Sequence, residues 1–157
     1  MMRRSGRDVE RATPGKSRVA ALCLLLLLAG IPLASGQEAS KASIWNGVFT
    51  DMQARRGEAA FQSNCAACHG KTLQATNPDA PNLTGPSFGI SWNGKPVADL
   101  FTLMRTSMPL GAPGSLSDPE YLDIVAYILK FNGYPAGDRE LGPEDQLLKQ
   151  IVIEPKK

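Results

Sequence analysis

Cys65-Ala66-Ala67-Cys68-His69 is the stretch on which the reading of this chain turns. Two thiols stand at i and i+3, and an imidazole follows the second directly. At the end of a helix this spacing presents both sulfurs to one edge of a flat macrocycle and delivers the imidazole beneath its centre. It is the C-x-x-C-H attachment signal for c-type haem, with the thiols reaching the vinyl groups. Three other uses of the same residues compete. A structural zinc site needs about four Cys or His ligands, and residues 37–157 hold only these three. A thioredoxin-like redox pair wants a βαβ context, which is missing here. A disulfide between residues three apart is strained and leaves His69 unexplained. One covalently attached haem c, with its iron, is therefore what the motif predicts.

Outward from the motif, the N-terminal side reads as an export leader. The chain has 157 residues, 43% hydrophobic and 20% charged, ordinary globular material for one domain. A positive stretch to Arg18 precedes an apolar run from Val19 to Ala29, then Gly30-Ile31-Pro32 and small residues, which is secretory signal anatomy. Ala34 and Gly36 supply the small residues needed at positions −3 and −1 of a cut after Gly36, so residues 1–36 are expected to be removed. The apolar run is about half of the roughly 20 residues a membrane-crossing helix needs, which argues against an uncleaved anchor and against stable membrane insertion after cleavage. Cys23 leaves with this leader. Six of the 17 basic residues lie within it, as do Asp8 and Glu10; residues 37–157 then carry 11 basic and 13 acidic side chains, a net of −2. A nucleic-acid partner needs a dense positive face, and this composition excludes one. Export to the periplasm also suits haem attachment, which takes place on reduced thiols outside the cytoplasm.

The exported part divides into an N-terminal extension (37–49), a domain (50–133) and a C-terminal tail (134–157) expected to pack back on the domain. Thr50-Asp51-Met52-Gln53 fits a capping box and starts a helix to about Asn64. Within it Gly57 costs about 1 kcal/mol relative to Ala, which implies close approach of another backbone. Ser117-Asp118-Pro119-Glu120 is a second capping box. It opens a helix whose Tyr121, Ile124, Val125, Ile128 and Leu129 make one apolar stripe before Asn132-Gly133 stops it. A shorter helix is expected from Pro96 to Arg105, and a short one at Glu144–Gln150 before the β-prone Ile151-Val152-Ile153. Residues 70–115 hold six glycines and six prolines. So long an irregular connection needs something other than backbone pairing to organise it, and the cofactor fills that role.

His69 is the only histidine, so a second axial ligand to iron must be a methionine or the position stays open. Met52 precedes the motif on the first helix, as a core or surface residue. Pro109 pushes Met108 out of the α region into the loop Met108-Pro109-Leu110-Gly111-Ala112-Pro113-Gly114, while Met104 stays in an apolar stripe with Leu100 and Phe101. Met108 is the expected distal ligand and Met104 a core methionine. Gly70-Lys71-Thr72 is not a phosphate loop, because Cys65 stands where that motif needs glycine. The formal sequon Asn82-Leu83-Thr84 carries little weight.

These elements, in this order, resemble a class I monohaem cytochrome c over residues 50–133: Gly57 and Phe61 before C-x-x-C-H, Ala80-Pro81-x-Leu83 after it, Trp92, Met108-Pro109, and Ile124-Val125-Ala126-Tyr127. The resemblance implies an all-α fold of three to five helices around one haem, with Gly57 and Phe61 crossing Ile124 and Tyr127. It implies that Pro81 offers its carbonyl to the His69 imidazole, that Leu83 lines the cofactor, and that Trp92 meets a haem propionate. The segment from Met108 to Leu116, with Asn132-Gly133-Tyr134-Pro135, is similar to small cytochromes that accompany quinoprotein alcohol dehydrogenases, although Leu110 replaces a common second proline. The expected function is single-electron transfer between redox proteins in a respiratory chain, without catalysis, from a periplasmic dehydrogenase towards a terminal oxidase. A haem enzyme or gas sensor with open iron, and a fixed cytochrome subunit of an oxidoreductase, are the alternatives.

Overall fold

The structure, a computed structural model, describes residues 42–143 and 145–155. The expected leader, 1–36, lies outside those residues. Among the described residues six α-helices follow one another: α1 (Asp51–Asn64), α2 (Ala66–His69), α3 (Gly85–Trp92), α4 (Val97–Ser107), α5 (Asp118–Phe131) and α6 (Asp145–Gln150). The four of eight residues or more are α1, α3, α4 and α5, so the expected all-α architecture holds. No helix among the described residues is long and apolar enough to cross a membrane.

The two helices with capping signals form the frame. Thr50 Oγ1 accepts from the Gln53 amide at 3.0 Å and starts α1. Only half of the expected box forms, because the Gln53 side chain is buried and turned to the tail: Nε2 donates to the Leu141 carbonyl at 3.0 Å and Oε1 accepts from the Leu141 amide at 2.8 Å. At the start of α5, Glu120 Oε2 accepts from the Ser117 amide at 2.8 Å and from its hydroxyl at 2.7 Å, placing a carboxylate at the positive end of the helix. Both bonds hold the Glu120 carboxyl below its usual range, the hydroxyl bond most.

α1 and α5 cross at Gly57. A Cβ there would stand 1.7 Å from the Asp123 carbonyl oxygen and 2.9 Å from the Ile124 amide nitrogen, so only glycine allows this approach. One turn on, Phe61 meets Tyr127 with ring centroids 5.4 Å apart at 51°. α5 departs from the single apolar stripe: all nine residues Tyr121 to Leu129 are buried, since other elements close over its remaining faces. Asp123 is among them, and Arg56 meets it through Nε and Nη2 at 2.8 and 2.9 Å while also gripping Glu140 of the tail at 2.9–3.0 Å.

The ends of the described chain meet. Ala42–Ser43 (β1) pairs in parallel with Ile151–Val152 (β2), and the Ser43 hydroxyl donates to Glu154 at 2.8 Å. Ile153 exchanges backbone bonds with Gly94 and Lys95, the turn between α3 and α4, at 2.7 and 2.9 Å. Leu141, Leu148, Ile151 and Ile153 of the tail are buried with Ile44 and Phe49 of the extension in the same apolar cluster as α4 and α5. One departure from the sequence reading lies in 70–115, which carries α3 as well as α4. Gly85, at φ 67°, turns the chain and Pro86 sits in the first turn, where its missing N–H has no helical partner to lose.

Candidate functional site

The motif sits on a sharp joint between α1 and α2. Cys65 caps both, its amide bonded to the Phe61 carbonyl at 2.8 Å, and its own carbonyl accepts from the amides of Cys68 and His69 at 3.2 and 3.0 Å. This single turn sets two thiols and an imidazole side by side. Gly70 then reverses the chain at φ 72°, where a Cβ would lie 1.9 Å from the Gln74 carbonyl oxygen. Both cysteines are free thiols and half-buried. Burial, with the neighbouring Cys68, pushes the Cys65 thiol up to about 11, so it stays protonated near neutral pH.

His69 is buried, 8% exposed, and its Nδ1 lies 3.0 Å from the Pro81 carbonyl oxygen. A carbonyl only accepts, so Nδ1 carries the proton and donates; Nε2 is then the nitrogen with the lone pair, the form that binds a metal. The donor set therefore fits haem c, with two unoxidised thiols beside an imidazole whose tautomer is fixed for ligation.

The loop that presents Pro81 is itself held in place. The Thr76 and Asn77 amides bond the Cys68 carbonyl at 3.0 and 3.2 Å, and the Leu83 amide bonds the Leu73 carbonyl at 2.8 Å. Leu73 is fully buried at φ 59°, a conformation rare for leucine and kept here by the packing around it. Asn132, read from sequence only as the stop of α5, ties the loop down: Nδ2 donates to the Leu83 carbonyl at 2.9 Å and Oδ1 accepts from the Gly85 amide at 3.1 Å. Leu83 packs half-buried against the core. Trp92 ends α3, half-buried, with Lys95 Nζ 5.2 Å from its ring centroid.

Met108 caps α4 in extended geometry, φ −126° and ψ 152°, as its position before Pro109 requires. It is half-buried, whereas Met104 is 7% exposed on the face of α4 that buries Val97, Leu100 and Phe101. Met52 is 55% exposed. The Met108 carbonyl accepts from the Tyr121 hydroxyl at 2.6 Å, a link from the loop after α4 to α5 that sequence reading did not provide. Tyr121 showed only as one member of an apolar stripe, and nothing in a stripe reveals where a hydroxyl points.

Part of the chain is similar to known proteins. Residues 52–128 match the family model described as cytochrome c oxidase, cbb3-type, subunit III. A thiosulfate dehydrogenase of Allochromatium vinosum is 39% identical over 79 residues, covering 46% of this chain and 29% of that protein. Cytochrome c6 of Synechocystis is 36% identical over 77 residues, covering 46% of this chain and 61% of that one. The chain thus spans less than two thirds of either relative. A solved structure, the sulfane dehydrogenase SoxCD of Paracoccus pantotrophus, aligns with 69% of this chain and 61% of its own at 22% identity and a TM-score of 0.47. With a single C-x-x-C-H in the sequence, these matches support a monohaem class I cytochrome c domain within residues 52–128, whose cofactor is covalently bound haem c with its iron.

Proposed function

We propose that this protein is an exported electron carrier whose leader, residues 1–36, is removed on the way to the periplasm, leaving the extension 37–49, the domain 50–133 and the tail 134–157. Cys65 and Cys68 hold the haem by thioethers, His69 is the proximal iron ligand through Nε2, and Met108 is the distal one. When bound, haem supplies the one-electron couple of its iron. The observation that carries the reading is the bond between His69 Nδ1 and the Pro81 carbonyl. It fixes the orientation of the imidazole and its ligating tautomer. Leu83 excludes water on the Pro81 side, and Trp92 is the candidate propionate partner. No second histidine exists to serve as an acid or base at the open face, which supports a carrier over a haem enzyme or gas sensor.

Partners follow from that role. The donor is a dehydrogenase and the acceptor leads to a terminal oxidase; the loop from Met108 to Leu116 favours a quinoprotein alcohol dehydrogenase as donor, and the name of one relative adds thiosulfate dehydrogenase. A fixed cytochrome subunit is the second reading, favoured because the matched stretch is only 29% of the length of that dehydrogenase.

The deciding experiment replaces the distal ligand. Met108→Ala should abolish the sulfur-to-iron charge-transfer absorption of the oxidised protein, lower its reduction potential and open it to carbon monoxide, because thioether ligation favours ferrous iron. Met104→Leu should leave all three unchanged. Rapid peroxide turnover by the wild type, with Met108 replaceable at no spectral cost, would establish the open-iron enzyme instead.

A further inference from the structure

The loop that bears Met108 is anchored to α5 by one buried hydroxyl. Tyr121 is 1% exposed, and its Oη donates to the Met108 carbonyl at 2.6 Å. The Met108 amide bonds the Met104 carbonyl at 2.9 Å, so both backbone groups of this residue are tied, one to α4 and one to α5. Further out, Arg105 Nε meets Asp118 Oδ1 at 2.8 Å and joins the end of α4 to the start of α5, but both side chains are well exposed. An exposed pair of this kind contributes little, whereas the Tyr121 bond, made by a donor that is only 1% exposed, is screened far less by water.

We propose that Tyr121 is a positioning residue for the distal ligand: its hydroxyl holds the Met108 backbone in place and so keeps the loop from swinging away from the iron. The inference rests on Met108 as that ligand. Ligand exchange then requires the Tyr121 bond to break, and the bond lowers the population of the open state to which an outside ligand adds. An external ligand reads that population directly, because its apparent affinity scales with the fraction of molecules that are open.

The test uses the oxidised, haem-loaded protein and imidazole as the competing ligand. Tyr121→Phe keeps the ring and removes only the donor; it should bind imidazole about tenfold more tightly than the wild type and keep the sulfur-to-iron band in the absence of imidazole. Tyr134→Phe is the matched control. It deletes a hydroxyl that likewise donates to a backbone carbonyl, that of Glu154 at 2.8 Å on the tail, and it should leave the imidazole affinity within about twofold of wild type. Arg105→Gln should also stay within about twofold. Equal imidazole affinity in Tyr121→Phe and wild type, or an equal rise in Tyr134→Phe, would overturn the positioning role while leaving Met108 as ligand. A wild type without the sulfur band would overturn the ligand assignment itself.

Discussion

Gly57 shows how much a single residue decides. Its absent side chain lets two helices touch backbone to backbone, with only 1.7 Å available where a Cβ would meet the Asp123 carbonyl. Gly57→Ala should therefore destabilise the haem-loaded protein although alanine is the better helix former; overpacking costs about 1–3 kcal/mol, against roughly 1 kcal/mol gained in propensity. The urea midpoint of the holoprotein checks this, and a rise in the midpoint would mean the helices part without cost. The sequence made Gly57 legible because a glycine inside a good helix is an anomaly with few explanations. The C-x-x-C-H residues were legible for a similar reason, since their spacing is the chemistry. Gln53, Tyr121 and Asn132 were not. Each was read for its local part, as cap, stripe or stop, and each has its decisive partner elsewhere. Gln53 reaches Leu141, 88 residues away, and Asn132 reaches Leu83, 49 residues away.

At the scale of elements, the signals that marked helix ends were the dependable ones. α1 starts at its cap, α5 runs between its cap and the Asn132-Gly133 stop, and the structure keeps those bounds; α3 was hidden because Gly85 and Pro86 read as breakers when they start a helix. The tail is joined to the α1/α5 frame by charge as well as by apolar burial. Arg56 lies between Asp123 and Glu140, and this bonding holds the Glu140 carboxyl below its ordinary value, the side-chain bond to Arg56 contributing most. A depressed folded-state value means that this contribution is present above the ordinary glutamate range and is lost as pH falls through the lowered one. The holoprotein's denaturation midpoint should drop more steeply below about pH 4.5 in the wild type than in Glu140→Gln; parallel acid limbs would show that Glu140 adds nothing. Apolar burial is the larger tie. Ile153 is fully buried, and Ile153→Ala should cost about 2–5 kcal/mol in urea denaturation, whereas a loss below about 0.5 kcal/mol would mean the tail is not packed as described.

For the whole molecule, the region matching the cytochrome family, 52–128, is flanked by chain on both sides that the domain itself does not need for its motif. Those flanks meet each other through β1 and β2 and close on the turn between α3 and α4, next to Trp92. Their pairing could not be foreseen, because two-residue strands leave no periodic trace and their register is set by contacts across more than a hundred residues. The account of the molecule as a carrier depends on haem being bound by this chain's own Cys65 and Cys68 above the His69 imidazole. The most direct measurement is denaturing electrophoresis of the purified protein, stained for haem, beside the Cys65→Ala/Cys68→Ala variant. Haem should migrate with the wild-type polypeptide and survive acid-acetone extraction, and it should be absent from the variant's band; loss of all haem from the wild type under those conditions would contradict the account.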